Sequence, residues 1–168
     1  HALLRLATQL QSNLDLDAVV EAVARAVSET FGFDEAAVYV REGDLLKARA
    51  VVGADEHQSE RLMAHPCPVG QAEHVMVDEY RVGDVYLVPL DAPEWTEKSW
   101  LCLGPYVVGP VAPGGWRRGD TLFVPLRDQR RHLVGLLRLG APVRGCRPGL
   151  DVVASLATFA THAAVAIV

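Results

Sequence analysis

The chain has 168 residues, of which 50% are hydrophobic and 22% charged, enough for one globular domain with a sizeable core and too little for a second full domain. Its formal net charge of −5, with no clustered basic stretch evident, argues against nucleic acid or an anionic membrane surface as partner. Three cysteines, Cys67, Cys102 and Cys146, are widely spaced without a CxxC pair, which excludes a zinc or dithiol motif and points to a reducing, cytoplasmic compartment.

Along the chain, Leu3, Leu6, Leu10 and Leu14 recur at helical spacing. Asp15 then offers a cap for a second helix whose apolar face is Leu16, Val19, Val20, Val23, Val27 and Phe31, closed by Gly32. Two helices are therefore expected before residue 32. Ala36 to Arg41 and Leu45 to Val52 form a hairpin around Glu42-Gly43-Asp44, with Leu46, Ala48, Ala50 and Val52 on one face and Lys47 and Arg49 on the other. Short helices are expected from Asp55 to about Ala64 and from about Gln71 to Tyr80, around the loop Pro66-Cys67-Pro68-Val69-Gly70.

Two segments echo each other. Arg81 to Leu90 and Arg117 to Leu126 each read as a Gly-Asp turn followed by a strand that ends in Val-Pro-Leu, where the proline cannot donate to a ladder. Between them Asp91 to Trp116 is rich in proline and glycine yet carries Trp95, Trp100, Tyr106 and Trp116, so it reads as a lid or binding loop whose tryptophans are buried against something. Leu133 to Leu139 is a strand, and Pro148 starts a last helix whose Leu150, Val153, Ala157, Ala160, Ala164 and Ile167 alternate as the seam of a helix pair or dimer. That helix is apolar, but its alanines, Ser155, Thr158, Thr161 and His162 suit a buried core helix better than a membrane span. The chain opens at His1 with no initiating Met or signal peptide, and reads as one domain, residues 1–168, taken from a longer polypeptide.

In this order of elements, the chain resembles a GAF domain of bacterial sensor histidine kinases and related regulators. The residues that carry the likeness are Leu14 to Val20, Tyr80 to Pro89, Gly119 to Leu126, Leu133 to Leu137 and Phe159 to Ile167. The resemblance implies an α+β fold: a twisted antiparallel sheet with the N- and C-terminal helices packed on one face and short helices and loops covering a pocket on the other. It also implies a small-molecule ligand or a dimerisation role, a homodimer through the terminal helices, and an output domain in the same polypeptide. The family's ligands are diverse, so the residues must decide.

No cysteine has a neighbouring histidine for bilin attachment, and His57, His65, His74 and His132 lack a second haem feature, so the cofactor stays unknown. The motif of cyclic-nucleotide-binding relatives and a glycine-rich phosphate cradle are both missing. Methionine sulfoxide reductase relatives need a low-pKa thiolate and a resolving thiol; Cys67 and Cys102 are the pair to weigh, at spacings unlike that family's cluster. A ligand-free dimerisation module and this reductase are the two alternatives to a non-enzymatic sensory module. The candidate ligand-site residues are Tyr86, Val88, Trp95, Trp100, Phe123, His74 and Cys102, with Asp91, Glu94 and Arg117 at the rim and no metal site.

Overall fold

The structure, a computed structural model, describes residues 2–89, 91–94, 115–117 and 120–168. Helix α1 (Ala2–Phe31) is followed by β1 (Phe33–Glu42), β2 (Leu45–Val52), α2 (Glu56–Ala64), β3 (Cys67–Pro68), α3 (Val69–Val75), a 3-10 turn (Asp78–Tyr80), β4 (Arg81–Val82), β5 (Val85–Val88), β6 (Thr121–Arg127), β7 (Leu133–Pro142) and α4 (Leu150–Ile167). The strands form a single sheet in the order β3-β2-β1-β7-β6-β5-β4, with antiparallel pairs throughout.

Helix α1 is one 30-residue helix, not the expected pair broken at Asp15. No proline or glycine lies between Ala2 and Phe31, and a break at Asp15 would forfeit intrahelical hydrogen bonds on both sides of it, so the available cap goes unused. Gly32 ends the helix at φ +75, with its N–H on Ser28 O.

Two apolar clusters lie on opposite faces of the sheet. The first joins Val20, Val23, Ala24 and Val27 of α1 and Val153, Leu156, Ala160, Ala163, Ala164 and Ile167 of α4 to Ala36, Val38, Leu122, Val124, Leu137 and Leu139 of the central strands. Phe31 and Phe159 meet edge to face at 5.9 Å, tying the two helices together. The expected seam on α4 is thus largely the face buried against its own sheet: Val153, Ala160, Ala164 and Ile167 fill the core and are unavailable to a partner. A run of small residues packs as well on a sheet as on another helix, and periodicity alone does not distinguish the two. Helix α4 is long and apolar enough to cross a membrane, with a mean hydropathy of 1.6, yet its inward face is spent on this core.

The second cluster gathers Ala37 and Tyr39, Leu46 and Ala48, Val88, Phe123, Leu133 and Leu136 under Leu62 of α2 and Val69, Ala72 and Val75 of α3. Strand β2 contributes to both faces, contrary to the single apolar face expected of it. Its register against β1 shifts between Val38 and Tyr39, which face Ala50 and Ala48. The residue left over, Arg49, reverses the alternation, so Leu46 and Ala48 join the second cluster and Ala50 the first. Helix α2 begins on a capping box between Asp55 and Gln58. Helix α3 starts earlier and ends sooner than the periodicity suggests, because Val69 is buried and its N–H is held by Asp44 O. Pro148 precedes the N-cap Gly149 and is not the first residue of α4.

The paired Val-Pro-Leu segments are neighbours, with Tyr86 opposite Phe123, Leu87 opposite Leu122 and Val88 opposite Thr121. Pro89 follows β5, whereas Pro125 lies inside β6 opposite Leu136 of β7, at a level beyond the reach of β5. The missing N–H is tolerated there because only one side of β6 is covered.

Candidate functional site

The sheet face opposite α1 and α4 carries the second cluster, under α2 and α3. Three large side chains stand at its centre on adjacent strands. Tyr39 of β1 and Phe123 of β6 are fully buried, and between them β7 places Arg138, which is 2% exposed. Arg138 lies in register with Ala37 on one side and Phe123 on the other. A guanidinium this deeply buried demands hydrogen bonds or a counter-charge, since desolvating a bare cation costs several kcal/mol or more. On the same face, one residue pair along, the Glu35 carboxylate lies over Gly140: a Cβ there would sit 3.0 Å from Oε2.

Of the expected ligand-site residues, the structure brings together Tyr86, Val88 and Phe123, which share this face across the β5–β6 pair. It does not bring His74, which is exposed, while Ala72 and Val75 of the same helix turn inward. His65 is likewise exposed, with Nδ1 2.7 Å from Arg61 O. Trp95, Trp100 and Cys102 lie outside the described residues, as does Tyr106. Trp116 is buried, as expected of the tryptophans in this stretch, in the cluster under the terminal helices, edge to face with Phe33 at 6.3 Å. Arg138 escaped the sequence reading, although a lone charge in Leu136-Leu137-Arg138-Leu139, on a strand covered on both faces, was the available signal.

The rim charges pair with one another. Arg117 donates to both carboxylate oxygens of Asp91 at 2.8 and 3.2 Å, and its Nε lies 3.6 Å from Asp120. The hydrogen bond to Asp91 raises the Arg117 pKa. Tyr80 donates its hydroxyl to Glu94 at 2.5 Å, and that bond pushes the phenol up to about 12. Cys67 is buried in the second cluster with its thiol on Pro68 O, and burial pushes its pKa up to about 12. Such a thiol is protonated at neutral pH, the reverse of what a nucleophilic cysteine needs. Among the described residues no three His, Cys, Asp or Glu side chains are grouped closely enough to hold a metal ion.

Among the described residues, three surface cavities lie away from the centre of the second cluster. The largest, about 400 Å³, lies between Arg127–Arg130 and the last turns of α4; one of about 270 Å³ lies beside it; and one of about 220 Å³ lies at the β4–β5 edge near Asp120 and Arg147.

A seven-stranded antiparallel sheet with terminal helices on one face and short helices over a second core on the other defines a small α+β fold. The model of the GAF domain family matches residues 15–167, and the chain belongs to that family. No curated protein sequence matches the chain. Among solved structures it is similar to the GAF domain/HD domain protein from Geobacter sulfurreducens, with 15% identity over 91% of this chain and 92% of that one and a TM-score of 0.68. It is also similar to the domain of a putative two-component sensor histidine kinase protein from Sinorhizobium meliloti, with 18% identity, coverage of 89% and 88% and a TM-score of 0.55. The type II free methionine-R-sulfoxide reductase from Thermoplasma acidophilum shares the fold too, with 17% identity, coverage of 90% and 92% and a TM-score of 0.58.

Proposed function

We propose that this GAF domain is a non-enzymatic sensory or regulatory module of a cytoplasmic bacterial signalling protein. In this reading it binds a small molecule on the face under α2 and α3 and passes its state through α1 and α4 to an output domain of the same polypeptide, such as a histidine kinase in a two-component system. The observation that carries the reading is the shared backbone of the two faces. Arg138, Phe123 and Tyr39 stand on β7, β6 and β1, and the alternate residues Leu137, Leu139, Val124 and Val38 of the same strands pack under the terminal helices. A ligand that shifts those strands reaches the helices without a separate relay, provided that it favours one helix arrangement over another. Tyr86, Val88, Phe123 and Arg138 form the proposed binding face, and Arg138 favours a ligand with an anionic or strongly accepting group. Trp95, Trp100 and Cys102 stay in the proposal as ligand-site residues, and His74 leaves it.

The test is a thermal-shift screen of soluble metabolites, followed by hydrogen exchange on each hit. A hit that raises the melting temperature and changes exchange in α4 supports the reading, and a hit that leaves both terminal helices unchanged contradicts the coupling. A screen without hits favours the ligand-free dimerisation module. The reductase alternative has less support, because the buried Cys67 thiol is poorly suited to attack a sulfoxide; turnover of free methionine sulfoxide that disappears in Cys67→Ser would reinstate it.

A further inference from the structure

The second cavity, about 270 Å³, is unlike the ligand face: it lies at the sheet edge against α4 and is walled by charge. It exists because β5 is short. Strand β6 continues past the β4–β5 hairpin to Arg127, which leaves an open edge beside Pro125 and a cleft between that edge, the hairpin and the outer flank of α4. Into this cleft come Arg81, Asp84 and Tyr86 from the hairpin, Arg127 and Arg131 from the two ends of the β6–β7 turn, and Thr161 from α4. Three guanidiniums against one carboxylate, 3 − 1, leave two positive charges in one concavity of a chain whose net charge is −5.

The nearby acid is not paired with them. Asp128, the acidic residue of the turn, accepts the backbone N–H groups of Arg130 and His132, both at 2.9 Å, and its second oxygen lies 3.5 Å from His132 Nδ1. Asp84 lies 3.7 Å from Arg81 and is largely exposed, so it screens one of the three at most. Among the described residues, neither Arg127 nor Arg131 has a carboxylate within 4.0 Å; Arg127 donates one N–H to Arg131 O at 3.3 Å. The turn also holds Arg131 in the left-handed region at φ +67, a conformation that non-glycine residues rarely adopt. Asp128 O, which accepts the Arg131 N–H, helps to hold it there.

We infer that this cleft binds a phosphoryl oxyanion, the headgroup of a small phosphorylated metabolite. Guanidinium forks match phosphate oxygens geometrically. The volume suits a headgroup and a few further atoms, being smaller than the roughly 300–1,000 Å³ of pockets that enclose a whole drug-sized ligand. Because Ala157, Ala160 and Thr161 form one wall, a bound phosphate bridges α4 to both hairpins and holds that helix on the sheet. The guanidiniums of this site lie apart from the ligand face, with which it shares only Tyr86, so its failure leaves the proposed function standing.

The probes are pyrophosphate, inorganic phosphate and glycerol 3-phosphate, titrated calorimetrically into the whole chain at fixed ionic strength. The expected result is saturable binding of pyrophosphate that weakens at least about tenfold in the Arg127→Gln, Arg131→Gln double variant, the loss of two charge-assisted contacts. The Arg5→Gln, Arg144→Gln double variant, which has the same net charge, should bind as the parent does. Tighter binding of glycerol 3-phosphate than of inorganic phosphate assigns a phosphate ester; the reverse assigns free phosphate, and either supports the site. No saturable binding to the parent, or equal weakening in both double variants, overturns the inference. Should the cleft variant unfold, amide-shift mapping on the parent decides the matter: pyrophosphate must shift Asp84, Arg131 and Thr161, and shifts elsewhere alone overturn the site.

Discussion

Cys67 and Cys146 carry the same thiol in opposite surroundings. Burial raises the pKa of Cys67 to about 12, whereas Cys146 is exposed in the loop before α4. Alkylation follows the thiolate and access, so iodoacetamide at pH 8 should modify Cys146 in the native protein and Cys67 only after unfolding. Peptide mass mapping checks this, and native labelling of Cys67 at the rate of Cys146 would show that its pocket is open. Asp128 provides the second prediction at this scale. Its backbone hydrogen bonds lower its pKa below the ordinary 3.8, so the folded state binds fewer protons there than the unfolded one. Its stabilising contribution is complete above that value and is lost as the pH falls through the lower folded-state pKa. Asp128→Asn should therefore flatten the acid limb of a melting-temperature profile and leave the alkaline limb unchanged. Single residues were also where the sequence was hardest to read. Burial of Arg138 and exposure of His74 are decided by which way a strand or helix faces once packed, and neither residue type nor spacing carries that information.

Elements were more legible, because periodicity and turn chemistry act locally. Gly43 and Gly83 take positive φ in the turns where the sequence requires it, the β1–β2 hairpin forms, and α2 is capped by the Asp55 that precedes it. The sequence reading failed where two local solutions were nearly equal and tertiary packing chose between them: continuation of α1 through Asp15, the bulge at Arg49, and the use of the α4 seam. The last has a direct test. Ala160 is 5% exposed against the sheet, so Ala160→Glu places a carboxylate in the core and should unfold the domain, a loss of at least about 3 kcal/mol by circular dichroism melting. A variant that melted like the parent but no longer self-associated would instead restore the seam as an interface. Asp55→Ala, by contrast, removes one side of a capping box on an exposed turn and should lower stability by about 1 kcal/mol in urea denaturation.

At the scale of the molecule, what the two faces leave unfilled is the first part of α1. The helix packs on the sheet through Val20 to Val27, while Leu3, Leu4 and Leu6 are 73%, 67% and 57% exposed. At the other terminus Val165 of α4 and Val168, which follows the helix, are exposed as well. Helical segments of fewer than about 12–15 residues are marginal in water without packing, so an unsupported start to α1 should fray. A homodimer through the terminal helices, moved from the buried seam to these outward residues, would supply the support. Leu3→Glu with Leu6→Glu should then abolish self-association in light scattering and speed amide exchange before residue 14, while the melting temperature of the packed domain, measured at concentrations where the parent is monomeric, stays unchanged within error. If the parent is monomeric at every concentration and its first turns are nevertheless protected from exchange, the terminal helix is stabilised within one chain and the dimer is not its support.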